Sequence, residues 1–229
     1  MKRFYGQAAA SPEEGGVAIL LDGRPVRTPG RNLLRVPTEE LAEAIAAEWN
    51  AQGEMVDPRS MPLTGLANAA IDRVAPDPAG FARTLAEYGE SDLLCYRAEG
   101  PQSLVERQEQ GWEPLLAWAR TRFGVDLVTT TGVIHRRQPA ETVERLGRAA
   151  AARSPFQLAG LAPLVTIAGS LIVALALAEG AIGLETAWDA AMLDEAWQAE
   201  QWGADPLAAA SLENRRREFE AAYRFLTLL

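Results

Sequence analysis

The chain has 229 residues, 48% of them hydrophobic, which is enough to bury one large core or two small ones. Its 31 acidic and 22 basic residues give a formal net charge of −9, which disfavours sequence-independent binding to nucleic acid or to an anionic membrane. With a single cysteine, Cys95, and a single histidine, His135, the chain cannot form a disulfide framework or a zinc cluster by itself, and catalysis by thiolate or imidazole is disfavoured.

The first 37 residues alternate short apolar runs with turn-forming residues. The run at 17–21 is followed by Asp22 and Gly23, a pair typical of a hairpin turn with positive φ. Further short runs at 25–26 and 33–36 complete a pattern of short antiparallel strands. This part of the sequence therefore predicts a small β-rich domain.

One helix is predicted to bridge this domain to the next. Thr38 is expected to cap it, with acidic residues in its first turn, and Gly53 to end it. Because the stretch 57–63 is loop-like, we expect the domain boundary there. The predicted domains are residues 1–62, β-rich with one bridging helix, and residues 63–229, α-helical.

Helix signals dominate the second predicted domain. Asp77-Pro78 and Gly100-Pro101 are typical helix starts, and Pro114 is expected to kink or split the helix that follows. Residues 125–134, rich in valine and threonine, predict a strand or an extended segment. The predicted fold class is α+β, with a small β-rich N-terminal domain followed by a larger α-helical domain.

An uncharged run at 154–178 is long enough to cross a bilayer on length alone. Pro155 and Pro163 interrupt it, and alanine supplies much of its apolar content. We therefore predict two core helices that are hydrophobic on nearly all sides, and no stable membrane insertion.

The segment between Arg153 and Arg215 contains no basic residue and eight acidic ones. A continuous helix across this region places Glu195 on the same stripe as Trp188 and Trp202. An unpaired carboxylate there would have a raised pKa unless a hydrogen-bond donor or a cation reaches it.

Three interpretations of this acidic segment remain open. In the first, it is a packed helix whose carboxylates are solvated or paired with the arginines at 215–217. In the second, Asp194, Glu195 or Glu200 form the acid/base pair of a small-molecule enzyme, which predicts a concave pocket with convergent carboxylates of strongly shifted pKa. In the third, acidic groups rimmed by tryptophans bind a basic, apolar protein partner, which predicts an exposed, partly apolar surface near Trp202.

Five stretches of the chain occur in a characteristic order. They are DGRPVRTP at 22–29, PT at 37–38 leading to AEWNAQ at 47–52, MPLTGLAN at 61–68, DLLCYR at 92–97, and LDEAWQAEQWG at 193–203. Together they resemble the assembly chaperones of the F-type ATP synthase, which hold the free alpha subunit of the catalytic sector. The resemblance extends from about residue 3 to residue 210.

This resemblance implies a β-rich domain before an α-helical one, no enzymatic activity, no catalytic residue, no metal and no cofactor. The family's acidic position corresponds here to the pair Asp194 and Glu195. We hypothesise that this pair, with Glu200 and Trp202, contacts basic groups on the alpha subunit until the beta subunit replaces the chaperone. Trp49 lies in a matched stretch and is interpreted as a packing residue.

The N-terminus lacks the long amphipathic leader, rich in arginine and serine, that organellar members carry. Lys2 is the only lysine, a bias that fits a GC-rich genome. We therefore expect a bacterial cytoplasmic protein.

Overall fold

The computed structural model describes residues 1–203 and 205–229, which form two compact units. Unit 1 comprises Met1–Pro78, Ser154–Gly160 and Ala221–Leu229, and unit 2 comprises Ala79–Arg153 and Leu161–Glu220. Residues 63–78 thus lie in unit 1, together with two short segments from later in the chain. Compact units need not be independently folding domains, so the domain boundary after residue 62 stays a prediction.

The sheet of unit 1 is built around its second strand. Its strands are β1 (Ala8–Glu13), β2 (Gly16–Leu21), β3 (Arg24–Pro25) and β4 (Arg35–Val36), and β1, β3 and β4 each pair antiparallel with β2. The turn between β2 and β3 has positive φ at Asp22 (48°) and Gly23 (77°), as predicted. β1 was not among the predicted strands.

Helix α1 (Glu39–Asn50) covers this sheet, and Thr38 caps it by accepting a hydrogen bond from the backbone N–H of Leu41, as predicted. Helix α2 (Pro62–Ala69) follows, and the Glu48 carboxylate on α1 accepts hydrogen bonds from the first backbone amides of α2. The apolar core of the unit lies between these elements. Its fully buried members include Ile19, Leu34, Leu41, Ile45, Leu63 and Phe225.

The remaining elements are mainly helical. They are α3 (Pro78–Ala86), β5 (Tyr96–Arg97), α4 (Gln102–Phe123), β6 (Thr130–Thr131), α5 (Ala140–Ala151), α6 (Pro155–Ala168), α7 (Leu171–Ala178), α8 (Leu184–Ala191), α9 (Leu193–Trp202) and α10 (Pro206–Thr227). β5 and β6 pair in parallel. Helix α4 continues through Pro114, so the predicted split is wrong. The small β region and the larger helical part confirm the α+β fold class.

The uncharged run forms helices α6 and α7, as predicted. Every residue from Leu171 to Leu177 is buried, and the Ser170 side chain caps α7. Asp92, also fully buried, accepts hydrogen bonds from the backbone N–H groups of Leu94 (3.1 Å) and Ile172 (3.0 Å) and thereby fixes the start of α7. Among the described residues, no helix combines the length and the hydrophobicity needed to span a bilayer.

Candidate functional site

The acidic segment forms two helices, α8 and α9, rather than one. The regular helix is interrupted at Met192, whose φ of −101° and ψ of 10° differ from α-helical values. Trp188 and Trp197 lie 180° apart on a continuous helix, and the break allows both to be buried. Glu195 and Trp202 lie on the exposed face. The predicted stripe that groups them with Trp188 is therefore wrong.

Asp194 at the start of α9 is half-buried and tied to helix α4. Its Oδ1 accepts a hydrogen bond from Nε2 of Gln108 at 2.7 Å. Gln108 is buried, and its Oε1 accepts from the backbone N–H of Ala98 at 2.8 Å. Asp194 thus belongs to a polar network that connects α9 to the interior of unit 2.

Glu195, the next residue, points outward and pairs with Arg215 on α10. Both carboxylate oxygens accept hydrogen bonds from the guanidinium, at 2.9 and 2.5 Å. These bonds lower the pKa of Glu195 below its ordinary value, against a smaller opposing effect of partial burial. The cation that the sequence analysis required near this carboxylate is therefore Arg215.

Glu200, one and a half turns further along α9, pairs in the same manner with Arg107 on α4, at 2.8 and 2.9 Å. The hydrogen bonds from Arg107 lower the pKa of Glu200. The other two arginines of the basic triplet also pair with glutamates, Arg216 with Glu185 and Arg217 with Glu213. Three glutamates of the acidic segment are therefore paired with the arginines at 215–217, as the packing interpretation predicted.

The end of α9 presents an aromatic ring to solvent. Trp202 is 75% exposed, and its ring meets that of the buried Trp197 edge to face, with centroids 5.7 Å apart. Leu207, in the first turn of α10, is 80% exposed. Large apolar side chains thus accompany the acidic groups at this position, as the protein-binding interpretation predicted.

A groove of about 550 Å³ adjoins these residues and is here termed the α9 groove. Apolar side chains supply much of its surface, and the ion pair of Arg107 with Glu200 lies at its wall. Asp189 also lines it and makes no hydrogen bond or ion pair within the described residues. The lining residues are Arg107, Gln110, Gly111, Thr186, Trp188, Asp189, Ala190, Met192, Leu193, Ala196, Glu200 and Leu212.

The enzyme interpretation requires carboxylates of raised pKa in such a cavity, whereas the hydrogen bonds from Arg107 lower the pKa of Glu200 at the wall of the α9 groove. Burial raises the pKa of Asp92, to about 6, but Asp92 is fully enclosed and bound to backbone amides. Burial also raises the pKa of the fully buried Cys95 thiol, to about 12, which disfavours the reactive thiolate. Within the part of the chain that the structure describes, no three His, Cys, Asp or Glu residues are grouped to hold a metal ion.

Comparison with known families resolves the class of protein. A family model described as "ATP12 chaperone protein" matches residues 2–120 of the chain. The chain belongs to the ATP12 chaperone family. This membership confirms the predicted chaperone family and makes the protein a chaperone rather than an enzyme.

Relatives of known structure cover nearly the whole chain. The crystal structure of Atp12 from Paracoccus denitrificans is 45% identical, with a TM-score of 0.94 over 99% of this chain and 97% of that one. A mutant of the same protein, with an aspartate replaced by lysine, matches equally well. A candidate chaperone from Agrobacterium tumefaciens is 42% identical, with a TM-score of 0.94 over 99% of this chain and 85% of that one.

A mitochondrial member of the ATP12 family is also similar. The protein atp12 of Schizosaccharomyces pombe is 29% identical over 214 residues, which are 88% of this chain and 74% of that protein.

Sequence reasoning named the acidic residues of this surface but missed some of their partners. Arg107 and Gln108 lie far from α9 in sequence, on a helix for which no polar role was expected. Only a weak signal for these contacts is present in the sequence. Arg107 and Gln108 are adjacent on a helix, so their side chains point in different directions and contact different neighbours. The α9 groove also went unpredicted, because it depends on the break at Met192.

Proposed function

We propose that this chain is an assembly chaperone of the F-type ATP synthase that binds the unassembled alpha subunit and prevents its aggregation until the beta subunit replaces it. Membership of the ATP12 family and the five matched stretches support this function. The observation that carries it is the exposed Trp202 at the end of α9, a helix that carries Glu195 and Glu200 on its outer face and contributes Glu200 to the lining of the α9 groove. An alpha subunit without its neighbours exposes apolar interfaces that drive aggregation, and a chaperone must cover them reversibly.

The apolar part of the surface supplies the area for such an interaction. Because Trp202 is 75% exposed, burial of its ring against a partner removes a large apolar area from water and thereby favours binding. Tryptophans are also enriched among the few interface residues that dominate binding energy. Trp202 and the α9 groove are therefore proposed to receive an apolar segment of the client.

The acidic part supplies selectivity for a basic client. The pairs of Glu195 with Arg215 and of Glu200 with Arg107 lie near the surface, where water and salt screen an ion pair and its net contribution to stability is small. An arginine or lysine of the client can replace Arg215 or Arg107 at little cost in free energy, because one surface ion pair is exchanged for another of the same type. Asp194 positions α9 through Gln108 and completes the proposed client contact.

Co-purification with the alpha subunit tests this function. The tagged chain is co-expressed with the alpha subunit of its own ATP synthase, with and without the double substitution Asp194→Lys and Glu195→Lys. We expect the double variant to lose at least about tenfold of the recovered alpha subunit, because two like charges then face a basic client. Glu144→Lys, an exposed acid on α5 without a partner in the described residues, is the matched control and should recover alpha normally.

Recovery of alpha at the unmodified level by a folded double variant would contradict the assignment of these residues. Absence of alpha from the unmodified complex would contradict the proposed function itself. Circular dichroism and the melting temperature establish that each variant is folded, so a loss of binding is distinguished from a loss of structure.

Trp202→Ala separates the apolar contribution from the acidic one. Its side chain is mostly exposed, so we expect the melting temperature to stay the same and the recovery of the alpha subunit to fall. An unchanged recovery would place the apolar contact elsewhere on the chain.

We also propose that the protein acts in a bacterial cytoplasm. Its similarity to proteins of P. denitrificans and A. tumefaciens over 99% of its length supports this location. Fractionation of the source cells, with an antibody against the chain, tests it. Recovery in the membrane pellet after a salt wash would overturn the assignment.

A further inference from the structure

Unit 1 contains a second concave surface, which lies entirely within residues 1–78 and is here termed the arginine groove. It consists of two cavities, of about 670 and 390 Å³, which share Met1, Arg27 and Trp49 as lining residues. The first is also lined by Phe4, Tyr5, Leu21, Asp22, Arg24, Pro25 and Val26. The second is also lined by Thr28, Pro29, Val56, Pro58, Met61, Thr64, Gly65 and Asn68.

The arginine groove has an apolar floor and an exposed apolar rim. Tyr5, Leu21 and Met61 are buried, with exposed fractions of 7%, 7% and 3%. Phe4 and Met1, at the rim, are 66% and 67% exposed. Exposed large apolar side chains around a buried apolar floor are typical of a surface that binds a ligand or a protein partner.

Two buried polar atoms of groove residues lack hydrogen bonds. Nε1 of Trp49, a donor, and Oδ1 of Asn68, an acceptor, have no partner within the described residues. Both residues line the second cavity. Buried donors and acceptors are nearly always satisfied in folded proteins, so these two indicate a missing partner. A polypeptide main chain offers both complementary groups, a carbonyl oxygen and an N–H.

The charge of the arginine groove is opposite to that of the chain as a whole. The charged side chains that line the two cavities are Arg24, Arg27 and Asp22, whereas the whole chain carries a net charge of −9. Arg24 and Arg27 line the first cavity, and neither pairs with a carboxylate within the described residues. The one acid in the lining, Asp22, already accepts hydrogen bonds from the backbone N–H groups of Gly6 and Gln7.

We infer that the arginine groove binds a polypeptide segment that is apolar and carries carboxylate side chains. The floor takes the apolar side chains, and Arg24 and Arg27 take the carboxylates. A rotation of the Trp49 and Asn68 side chains in the cavity wall then brings their unsatisfied atoms to the main chain of the segment. This inference does not depend on which subunit the chaperone assembles. It assigns to unit 1 a ligand of the charge opposite to that proposed for the α9 groove.

Binding of a defined peptide tests the inference. The probe is a fluorescein-labelled octapeptide in which leucine and phenylalanine alternate with glutamate, and its partner probe has lysine at every glutamate position. Fluorescence anisotropy with the full chain should show at least about tenfold tighter binding of the glutamate peptide. This preference should weaken as salt is added, because the arginines are exposed.

Charge reversal of the groove supplies the matched variants. The double variant Arg24→Glu and Arg27→Glu should lose the glutamate peptide by about tenfold or more and gain affinity for the lysine peptide. Arg73→Glu makes the same change at an exposed arginine of unit 1 outside the lining of both cavities, and should bind as the unmodified chain does. Arg24→Glu alone covers the case in which the double variant fails to fold, since the structure shows no hydrogen bond from the Arg24 side chain.

Three results would overturn the inference. The first is equal binding of the two peptides by the unmodified chain. The second is unchanged affinity for the glutamate peptide in Arg24→Glu. The third is self-association of the chain in sedimentation experiments that the Arg24→Glu change abolishes, which would make a second copy the occupant. The peptide results are independent of the co-purification result, so the inference and the proposed function can fail separately.

Discussion

Carboxylates in two regions of unit 2 show opposite behaviour. Asp92 is fully buried, accepts its hydrogen bonds mainly from backbone amides, and has its pKa raised by burial to about 6. Glu195 and Glu200 on α9 lie at the surface, accept from arginines, and have lowered pKa values. An acid held by the backbone therefore belongs to the fold, whereas an acid held by a surface arginine stays available for exchange with a partner.

Two tryptophans show the same contrast. Trp49 on α1 is half-buried, packs against both apolar clusters of unit 1, and its carbonyl oxygen accepts a hydrogen bond from the Tyr5 hydroxyl at 2.6 Å. Trp202 is 75% exposed and contacts one other ring. The contrast therefore predicts that Trp49 affects stability and that Trp202 affects binding.

Trp49→Ala should produce the largest loss of stability. Removing an indole packed against two clusters leaves a cavity, and such truncations cost about 3–5 kcal/mol. Chemical denaturation monitored by circular dichroism measures the free energy of unfolding. Trp202→Ala, the matched control, should change it by less than about 0.5 kcal/mol. Equal losses of unfolding free energy in the two variants would contradict the different roles assigned to Trp49 and Trp202.

Asp92 should make stability depend on pH over a defined range. Its pKa is raised from 3.8 to about 6 in the folded state, so the folded chain binds a proton more readily than the unfolded chain. The stabilising contribution is fully present below pH 4 and is lost as the pH rises through 6. A shift of this size corresponds to about 3 kcal/mol.

Asp92→Asn isolates this contribution, since asparagine does not titrate. The difference in unfolding free energy between the unmodified chain and Asp92→Asn should change between pH 4 and pH 7 in favour of the unmodified chain at low pH. Denaturation at a series of pH values measures it. A difference that stays constant across this range would show that Asp92 titrates normally and would remove the contrast with the surface glutamates.

Much of the fold was predictable because its signals are local. Asp22-Gly23 requires positive φ, Thr38 has the side chain of an N-cap, and the uncharged run at 154–178 has the composition of buried helices. Strand β1 was missed because alanine and proline have low β propensity. β1 is specified instead by its pairing with β2. The turn between the two strands allows this pairing, because Gly15 and Gly16 adopt positive φ there.

Sequence patterns named candidate residues for the proposed site but did not predict the geometry around them. Asp194, Glu195, Glu200 and Trp202 were identified from an acidic segment with tryptophans and from a family resemblance. The break at Met192 carries no glycine or proline signal, and it arises because tertiary packing buries tryptophans from opposite helix faces. The pairing of Glu200 with Arg107 on the distant helix α4 was unpredictable for the same reason, since contacts between distant segments have no local sequence signature.

Glu195→Gln should have the smallest effect on stability. It tests whether the surface pair of Glu195 with Arg215 contributes as little to the fold as its exposure indicates. The change removes one charge from the surface pair with Arg215, and such pairs contribute less than about 1 kcal/mol because water and salt screen them. We expect a shift in melting temperature of a few degrees at most, which disappears at high salt. A loss as large as that of Trp49→Ala would mean that the pair holds α9 to α10. The arginine would then not be exchangeable for a client cation, and the proposed role of Glu195 in client binding would be lost with it.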